Sequence, residues 1–301
     1  MLYSLLQSSF RIVKSILFQP LVNIVDKYYK VEVHSKHEKL AKDVSSLVCT
    51  PSGFLDKTRK EQVEILAVDL MLIISNLSLI LGLNVFTKYI LHIPGLNWNE
   101  FLYTSLFLYF GVDFTSGLIH FTLDNPATKK HPLITVSNLA WQFQDHHDKP
   151  YDNTLPPLLH TLCNFSFAIF PPICCNFLYT YFFKVNMVSY SLLSYLLVTF
   201  SQYIHRSIHY RDDQRAPYIK MLMYLNIVQN VENHHKHHKT FDCYYCTLSG
   251  WSDPLIHYLK SKLTDSLYEK VDWFRVTLYW LFGCMPILYI FYMKILHFIL
   301  I

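Results

Sequence analysis

Apolar residues in this chain are gathered into long runs that alternate with shorter polar stretches. Four runs are about 18 to 22 residues long. They cover residues 65–86, 101–121, 162–183 and 187–204. About twenty residues of α-helix reach across the ~30 Å hydrocarbon core of a bilayer. The pattern therefore predicts four transmembrane helices. The third should be kinked at Pro171 and Pro172, because proline lacks the amide hydrogen that a helix interior needs.

The two ends of the chain are less regular. A fifth apolar run starts at Thr277, and its Gly283 and Pro286 leave two interpretations open, a fifth span or a hairpin in the membrane. The N-terminal stretch is too interrupted for a span, and it suits either a targeting sequence or an interfacial amphipathic helix. We therefore divide the chain into a cytosolic or interfacial segment 1–63, a membrane domain 64–260 and a C-terminal hydrophobic segment 261–301.

Composition supports an all-α integral membrane protein. Hydrophobic residues make up 52% of the chain and charged residues only 16%, against about 25% charged in a typical soluble domain. Lysine and arginine cluster in residues 1–63, 122–160 and 205–273, and Lys184 is the one such residue in the loops 91–100 and 184–186. Basic loops stay on the cytosolic side, so this split places both termini of the four-span bundle there. A net charge of +4 does not suggest a nucleic-acid partner.

Histidines stand at the predicted cytosolic ends of the spans. His205 and His209 are four residues apart, as are His120 and Asp124. His234, His237 and His238 stand at positions i, i+3 and i+4. Each set shares one face of a helix and could point its side chains at a common place. The topology brings these groups to one depth although they are far apart in sequence. The grouped histidines are His120, His146, His147, His205, His209, His234, His237 and His238.

The number of grouped histidines indicates two metal ions. One structural zinc ion needs four ligands, and eight imidazoles are twice that number. A ligating imidazole also needs an acceptor for its second nitrogen, and Asp113, Asp124 and Asp145 are near enough in sequence to orient the ligands in this way. Asp113 could instead be an interfacial cap, whereas the spacing from His120 favours the orienting role for Asp124. His235 falls outside the HxxHH spacing and is predicted to be a bystander. Cys243 and Cys246 resemble half a zinc site, but no second CxxC exists, so an inert buried thiol is favoured at Cys246.

Four motifs, in order along the chain, carry a family resemblance. They are "DFTSGLIHFTLDN" (113–125), "FQDHHDKPYDNT" (143–154), "FSQYIHRSIH" (200–209) and "HHKHH" followed by "YYCTLSGW" (244–251). Together these motifs resemble those of the membrane lipid desaturases. That family includes the plasmanylethanolamine desaturases of the Kua type, bacterial light-response homologues and the plant plastid phosphatidylglycerol desaturases.

The resemblance implies a site and a chemistry. The eight grouped histidines would be the ligands of two iron ions, O2 would be the co-substrate, and a cytochrome b5-like or ferredoxin-like protein would supply electrons. Many ether-lipid members carry a further histidine at the position of Pro156, so His160 is a candidate ninth ligand. The plastid type also lacks that histidine, and the motif details agree better with acyl-lipid desaturation.

The expected function is therefore a di-iron desaturase acting on a lipid-linked acyl or alkyl chain. A fatty-acyl or sterol hydroxylase on the same scaffold is the alternative within enzymes. From another class comes a histidine-rich metal transporter, although transporters usually place ionisable residues at mid-membrane. The expected location is the endoplasmic reticulum membrane, with a plastid membrane as the alternative. The sequence leaves the lipid class and the oligomeric state open.

Overall fold

The structure is a computed structural model, and it describes residues 54–300. Nearly all of the N-terminal segment, with its predicted targeting sequence or amphipathic helix, lies outside these residues. Every regular element between residues 54 and 300 is helical, which confirms the all-α prediction. The helices are α1 (Arg59–Val85), α2 (Trp98–Leu123), α3 (Ile134–Asp148), α4 (Leu158–Cys163), α5 (Ser166–Phe183), α6 (Val188–Ile208), α7 (Pro217–Tyr224), α8 (Val231–Thr240), α9 (Asp253–Ser261), α10 (Asp265–Lys270), α11 (Trp273–Tyr279) and α12 (Met285–Leu300).

Three helical stretches in the described residues are long and apolar enough to cross a membrane. Arg59–Ile90 and Trp98–Leu123 contain the first two predicted spans. The third is Trp273–Ile299, in which α11 and α12 are joined by a π-helical turn at Trp280–Cys284. The C-terminal run is therefore one continuous helix and not a hairpin. Pro286 follows directly on this π-helical turn, and such a local change of the hydrogen-bond pattern accommodates a proline inside a membrane helix.

The other two predicted spans differ from expectation. The run 162–183 is divided between α4 and α5, and the break falls at Asn164 and Phe165, before the proline pair. At the start of α5, the Asn76 amide of α1 donates a hydrogen bond to the Ser166 carbonyl over 2.9 Å. The run 187–204 forms α6 as predicted, but α6 is more polar than the three long stretches. Many of its residues are buried, because it packs along α2, α4, α1 and α5.

The main apolar core lies among α2, α5, α6 and α12. Tyr289 of α12 is fully buried there, and its hydroxyl lies 3.0 Å from the Thr104 hydroxyl of α2. Its ring lies 4.8 Å from the ring of Tyr190 in α6. Buried hydroxyls that find a partner avoid a desolvation cost of about 1–3 kcal/mol. The tyrosine-rich core therefore holds the C-terminal helix against the two helices that end at the histidines.

Two arginines join the end of α6 to the polar loops. Arg215 donates to the carbonyls of Ser207 and Tyr210 over 2.9 and 2.8 Å, which satisfies acceptors left free where α6 ends. Arg206 is also buried and donates to the carbonyls of Thr154 and Pro156 over 2.8 and 2.7 Å. These bonds place the loop after α3 beside the end of α6.

Candidate metal centre

Five histidines from α3, α8 and the end of α6 bring their Nε2 atoms together. The nitrogen of His146 lies 3.2 Å from that of His205 and 3.1 Å from that of His209. The Nε2 atom of His234 lies 3.1 Å from that of His209 and 3.0 Å from that of His238. We call this set the five-histidine group. Its members are His146, His205, His209, His234 and His238.

The spacing of these nitrogens matches a shared cation better than a hydrogen-bond network. Nitrogens that bind one ion at ~2.0–2.1 Å, at angles of about 90–110°, lie roughly 3.0–3.4 Å apart. A neutral imidazole has only one N–H and one lone pair, so a chain of five nitrogens would need strict alternation of donors and acceptors. The Nδ1 atoms of His234 and His238 are buried and have no hydrogen-bond partner in the described residues. An ion that accepts every Nε2 lone pair removes the need for alternation.

Three histidines and one aspartate form a second group beside the first. Asp124, directly after the end of α2, places Oδ2 3.3 Å from His237 Nε2 and Oδ1 3.6 Å from His147 Nε2. The fourth member is His120, one helical turn before Asp124. All four are buried, and within residues 54–300 both Asp124 oxygens and the Nε2 atoms of all three histidines have no hydrogen-bond partner. Such a set of buried, unpartnered ligand atoms fits a cation. We call it the aspartate group.

Adjacent histidines on α3 and α8 separate into different groups. His146 joins the five-histidine group and His147 the aspartate group, and His238 and His237 divide in the same way. Neighbouring residues on a helix point about 100° apart, so each HH pair contributes to both sides. The sequence predicted that His234, His237 and His238 would point at one place, and this was wrong for His237. The prediction that His120 and Asp124 converge is confirmed.

The local structure at both ends of α8 orients its histidine side chains. The Asn230 side chain accepts a hydrogen bond from the Asn233 amide at the start of the helix over 2.8 Å. Phe241 ends the helix in the left-handed conformation, with φ 58°. The Cys243 carbonyl then lies 2.7 Å from His237 Nδ1. An Nδ1–H that donates to this carbonyl leaves the Nε2 lone pair facing Asp124, which is how metal-ligating imidazoles are usually oriented.

Burial favours the neutral form of four of these imidazoles. Burial, reinforced by neighbouring histidines, lowers the pKa of His147 to about 2 and that of His238 to about 4. The pKa values of His146 and His234 are also well below the usual range, for the same reasons. The neutral imidazole is the form that binds metals. Burial raises the pKa of Asp124, and an adjacent cation would stabilise its carboxylate.

Asp113 does not contact either group. Its buried carboxylate accepts hydrogen bonds from the backbone amides of Ser249, Gly250 and Ser252 over 2.7, 3.1 and 2.9 Å. The structure therefore contradicts the prediction that Asp113 orients a ligand imidazole directly. It anchors the loop after α8, and that loop carries the Cys243 carbonyl that meets His237.

The candidate ninth ligand, His160, belongs to neither group. Its Nδ1 lies 2.7 Å from Asp69 Oδ2 of α1, and its ring stacks on Phe54 at 5.6 Å between centroids. His235 is exposed, as predicted for a bystander. Cys246 is fully buried, and burial raises the pKa of its thiol, which agrees with the inert role predicted for it.

Sequence reasoning missed three contributors. The Cys243 carbonyl, Arg206 and Arg215 all support the groups without being ligand types. The signal for Arg206 was its position next to His205 at the end of an apolar run, where a buried charge needs several partners. No sequence signal marks the Cys243 carbonyl, because every residue has one.

A cavity of about 460 Å³ opens beside the five-histidine group. His146 and His205 line its inner side, and Leu72 of α1 and Leu139 of α3 lie on other walls. Lys149 lines a more polar part. The volume is in the range of pockets that bury organic ligands, about 300–1,000 Å³. A ligand in this cavity would contact two of the five histidines.

Residues 109–272 match a family model described as the lipid desaturase domain. The match covers more than half of the chain and includes every member of both groups. No curated protein and no solved structure matches the chain.

Proposed function

The chain belongs to the lipid desaturase domain family, and from this premise we propose that it is a di-iron, O2-dependent oxidoreductase that introduces a double bond into a lipid-linked acyl or alkyl chain. It is an integral membrane protein with a lipid substrate. The family does not favour the transporter hypothesis. The proposal adds the two irons, the co-substrate and the reaction to what the family implies.

One observation carries the proposal. Two buried groups of metal-ligand atoms lie side by side and draw neighbouring histidines from the same helices, α3 and α8. Imidazole-rich sites with a carboxylate suit iron among other transition metals. Two such groups beside a ligand-sized cavity support a two-metal oxidation site better than a structural site, for which four ligands suffice.

The reaction balances as R–CH2–CH2–R′ plus O2, two electrons and two protons, giving R–CH=CH–R′ and two waters. Bound iron would supply the O2 chemistry that removes hydrogen from two unactivated carbons. In our proposal the nine ligand residues hold the ions, with Asp124 as a ligand. The cavity wall at His146 and His205 holds the chain beside them. The aspartate group is fully buried, and a lipid chain in the cavity would keep water from the five-histidine group, which protects the oxidation from side reactions.

The two electrons call for a partner protein, and we propose a cytochrome b5-like or ferredoxin-like donor. Support comes from the outer face of α8, where Lys236 and Lys239 are exposed on the helix that carries three candidate ligands. A basic patch attracts an acidic donor and raises the rate of encounter. Electron delivery should therefore slow as salt is raised, and a rate independent of salt would contradict this docking site.

We place the protein in the endoplasmic reticulum membrane, with a plastid membrane as the alternative. The full chain carrying a fluorescent tag, imaged against markers of both membranes, separates the two locations.

The decisive experiment compares lipids from cells that express the wild-type chain or the His146→Ala variant. We expect a new double bond in one lipid class with the wild type and none with the variant. His257→Ala, which changes an exposed histidine of α9, is the control. Mass spectrometry of intact lipids and of their cleavage products locates the bond. Full activity of His146→Ala, or a hydroxylated product from the wild type, would overturn the proposal.

A further inference from the structure

A second, much smaller cavity lies between α2 and α6, and we call it the slot. Its volume is about 40 Å³. Val112 and Ile119 of α2 and Val198 of α6 form its walls. Its inner surface is completed by His120 of the aspartate group and His205 of the five-histidine group. The slot therefore contacts both candidate metal sites.

The slot also borders the large cavity. Phe143 and Phe165 line both spaces. Their rings meet edge to face at 6.2 Å, and Phe143 also packs edge to face on His120 at 5.1 Å. The aromatic pair thus stands between a large space and a small one, next to the histidines.

Size decides what each space can hold. A water-sized molecule needs about 10–15 Å³ of such a cavity volume. The slot therefore has room for about three water-sized molecules. The large cavity, at about 460 Å³ against about 40 Å³, is more than ten times larger. A lipid chain fits the large cavity, and the slot suits a molecule of two or three heavy atoms.

Three hydroxyl side chains that line the slot are already hydrogen-bonded within their own helices. The hydroxyl of Thr115 donates to the Gly111 carbonyl over 2.6 Å. Ser116 and Ser201 donate in the same way to carbonyls of their own helices, over 2.7 and 2.8 Å. The exposed surface of the slot is mostly carbon. Small apolar cavities stay dry and take up apolar molecules such as xenon.

We propose that the slot is a docking pocket for dioxygen, separate from the space that holds the lipid. This inference rests on the proposed function, because it assigns a place to the co-substrate of that reaction. Dioxygen has two heavy atoms and is apolar, and the slot is small, apolar and in contact with both ligand groups. The aromatic pair keeps the lipid chain out of this pocket.

The first test uses xenon as a probe for a small apolar molecule. Crystals of the full wild-type protein under xenon pressure should show a xenon atom between Val112 and Val198. The Val112→Phe variant fills the slot, and the xenon atom should then be absent. Val188→Phe is the matched control, since Val188 is equally buried in the main core but does not line the slot. Absence of xenon from the wild-type slot, or water there in its place, overturns the proposal.

The second test measures the Michaelis constants separately. Val112→Phe should raise KM for O2 several-fold and leave KM for the lipid unchanged, whereas Val188→Phe should change neither. A rise in the lipid KM instead would mean that the slot holds lipid chain, and unchanged constants would also overturn the proposal. Absence of desaturation by the wild type at any O2 pressure is a failure of the proposed function, which the xenon experiment distinguishes from a failure of the pocket.

Discussion

The two ligand groups share two helices and differ in the third. α3 and α8 supply neighbouring histidines to both groups. The five-histidine group is completed from the end of α6, by His205 and by His209 just beyond it, and the aspartate group from the end of α2, by His120 and Asp124. One group therefore has five imidazoles, and the other has three imidazoles and a carboxylate. The electrostatic difference comes from α2 and α6 alone.

The groups also differ in access. His146 and His238 of the five-histidine group are only half-buried, and His146 and His205 line the large cavity. All four members of the aspartate group are buried. In the proposed enzyme we therefore expect the five-histidine group to meet the lipid chain and the aspartate group to hold its ion more tightly. The experiments below are ordered from the largest expected effect to the smallest.

The largest effect should come from removing one histidine of each group. His234→Ala and His237→Ala should each lose about one iron per chain, because each takes away a buried ligand that no neighbour replaces. Lipid desaturation should disappear in both variants. Metal analysis of the purified protein measures the loss, and the exposed neighbour His235 provides the control, His235→Ala. An iron content of two ions per chain in His237→Ala would contradict the assignment of the histidines to two separate metal sites.

Asp124→Asn tests the carboxylate at nearly constant shape. The variant should weaken the affinity of the aspartate group for iron by at least the ~10–100-fold seen for residues that support metal ligands. The five-histidine group should keep its ion. Competition with a chelator measures the two affinities. The control is Asp145→Asn, which alters an exposed carboxylate beside His146. It should leave the iron affinities of both groups unchanged. Equal weakening of the two sites in Asp124→Asn would contradict the comparison.

The Asp113→Asn substitution should weaken iron binding by the aspartate group indirectly, through the loop that Asp113 anchors. An amide that replaces the carboxylate cannot accept all three backbone hydrogen bonds, so we expect a loss of roughly 1–3 kcal/mol of stability. The loop that carries the Cys243 carbonyl should loosen, and iron should leave the site of His237 several-fold faster. Thermal unfolding and chelation kinetics follow the two effects. The control is Asp265→Asn, at an almost fully exposed side chain. Faster iron loss from the five-histidine group instead would show that the loop does not act through His237.

The smallest effect on iron is expected at His160, which lies outside both groups. His160→Gln can still donate a hydrogen bond to Asp69, so both irons should stay. Because His160 lines the large cavity, KM for the lipid should change while the iron content does not. The control His257→Gln, at an exposed site, should change neither KM for the lipid nor the iron content. Iron loss in His160→Gln would restore the hypothesis that it is a ninth ligand.

Much of the fold and of the site follows from local patterns. Apolar runs near twenty residues predict membrane helices, and two of the four predicted runs and the C-terminal one meet that expectation. The run 162–183 shows the limit. Its composition is uniformly apolar, yet the helix breaks at Asn164 and Phe165, where Asn76 of a distant helix contacts the new start. A contact of this kind has no local signature.

The sequence by itself determined that the chain is a helical membrane protein and that eight histidines and Asp124 belong to one region. Helical periodicity and the positions of helix ends are local properties, and they can be read without a partner. Tertiary structure alone decided that His146 and His147 join different groups, that Asp124 lies among the candidate ligands and that Asp113 and His160 do not. Those outcomes depend on which helices pack against one another. Side chains one position apart point about 100° apart, so a choice of neighbour decides which site each one joins.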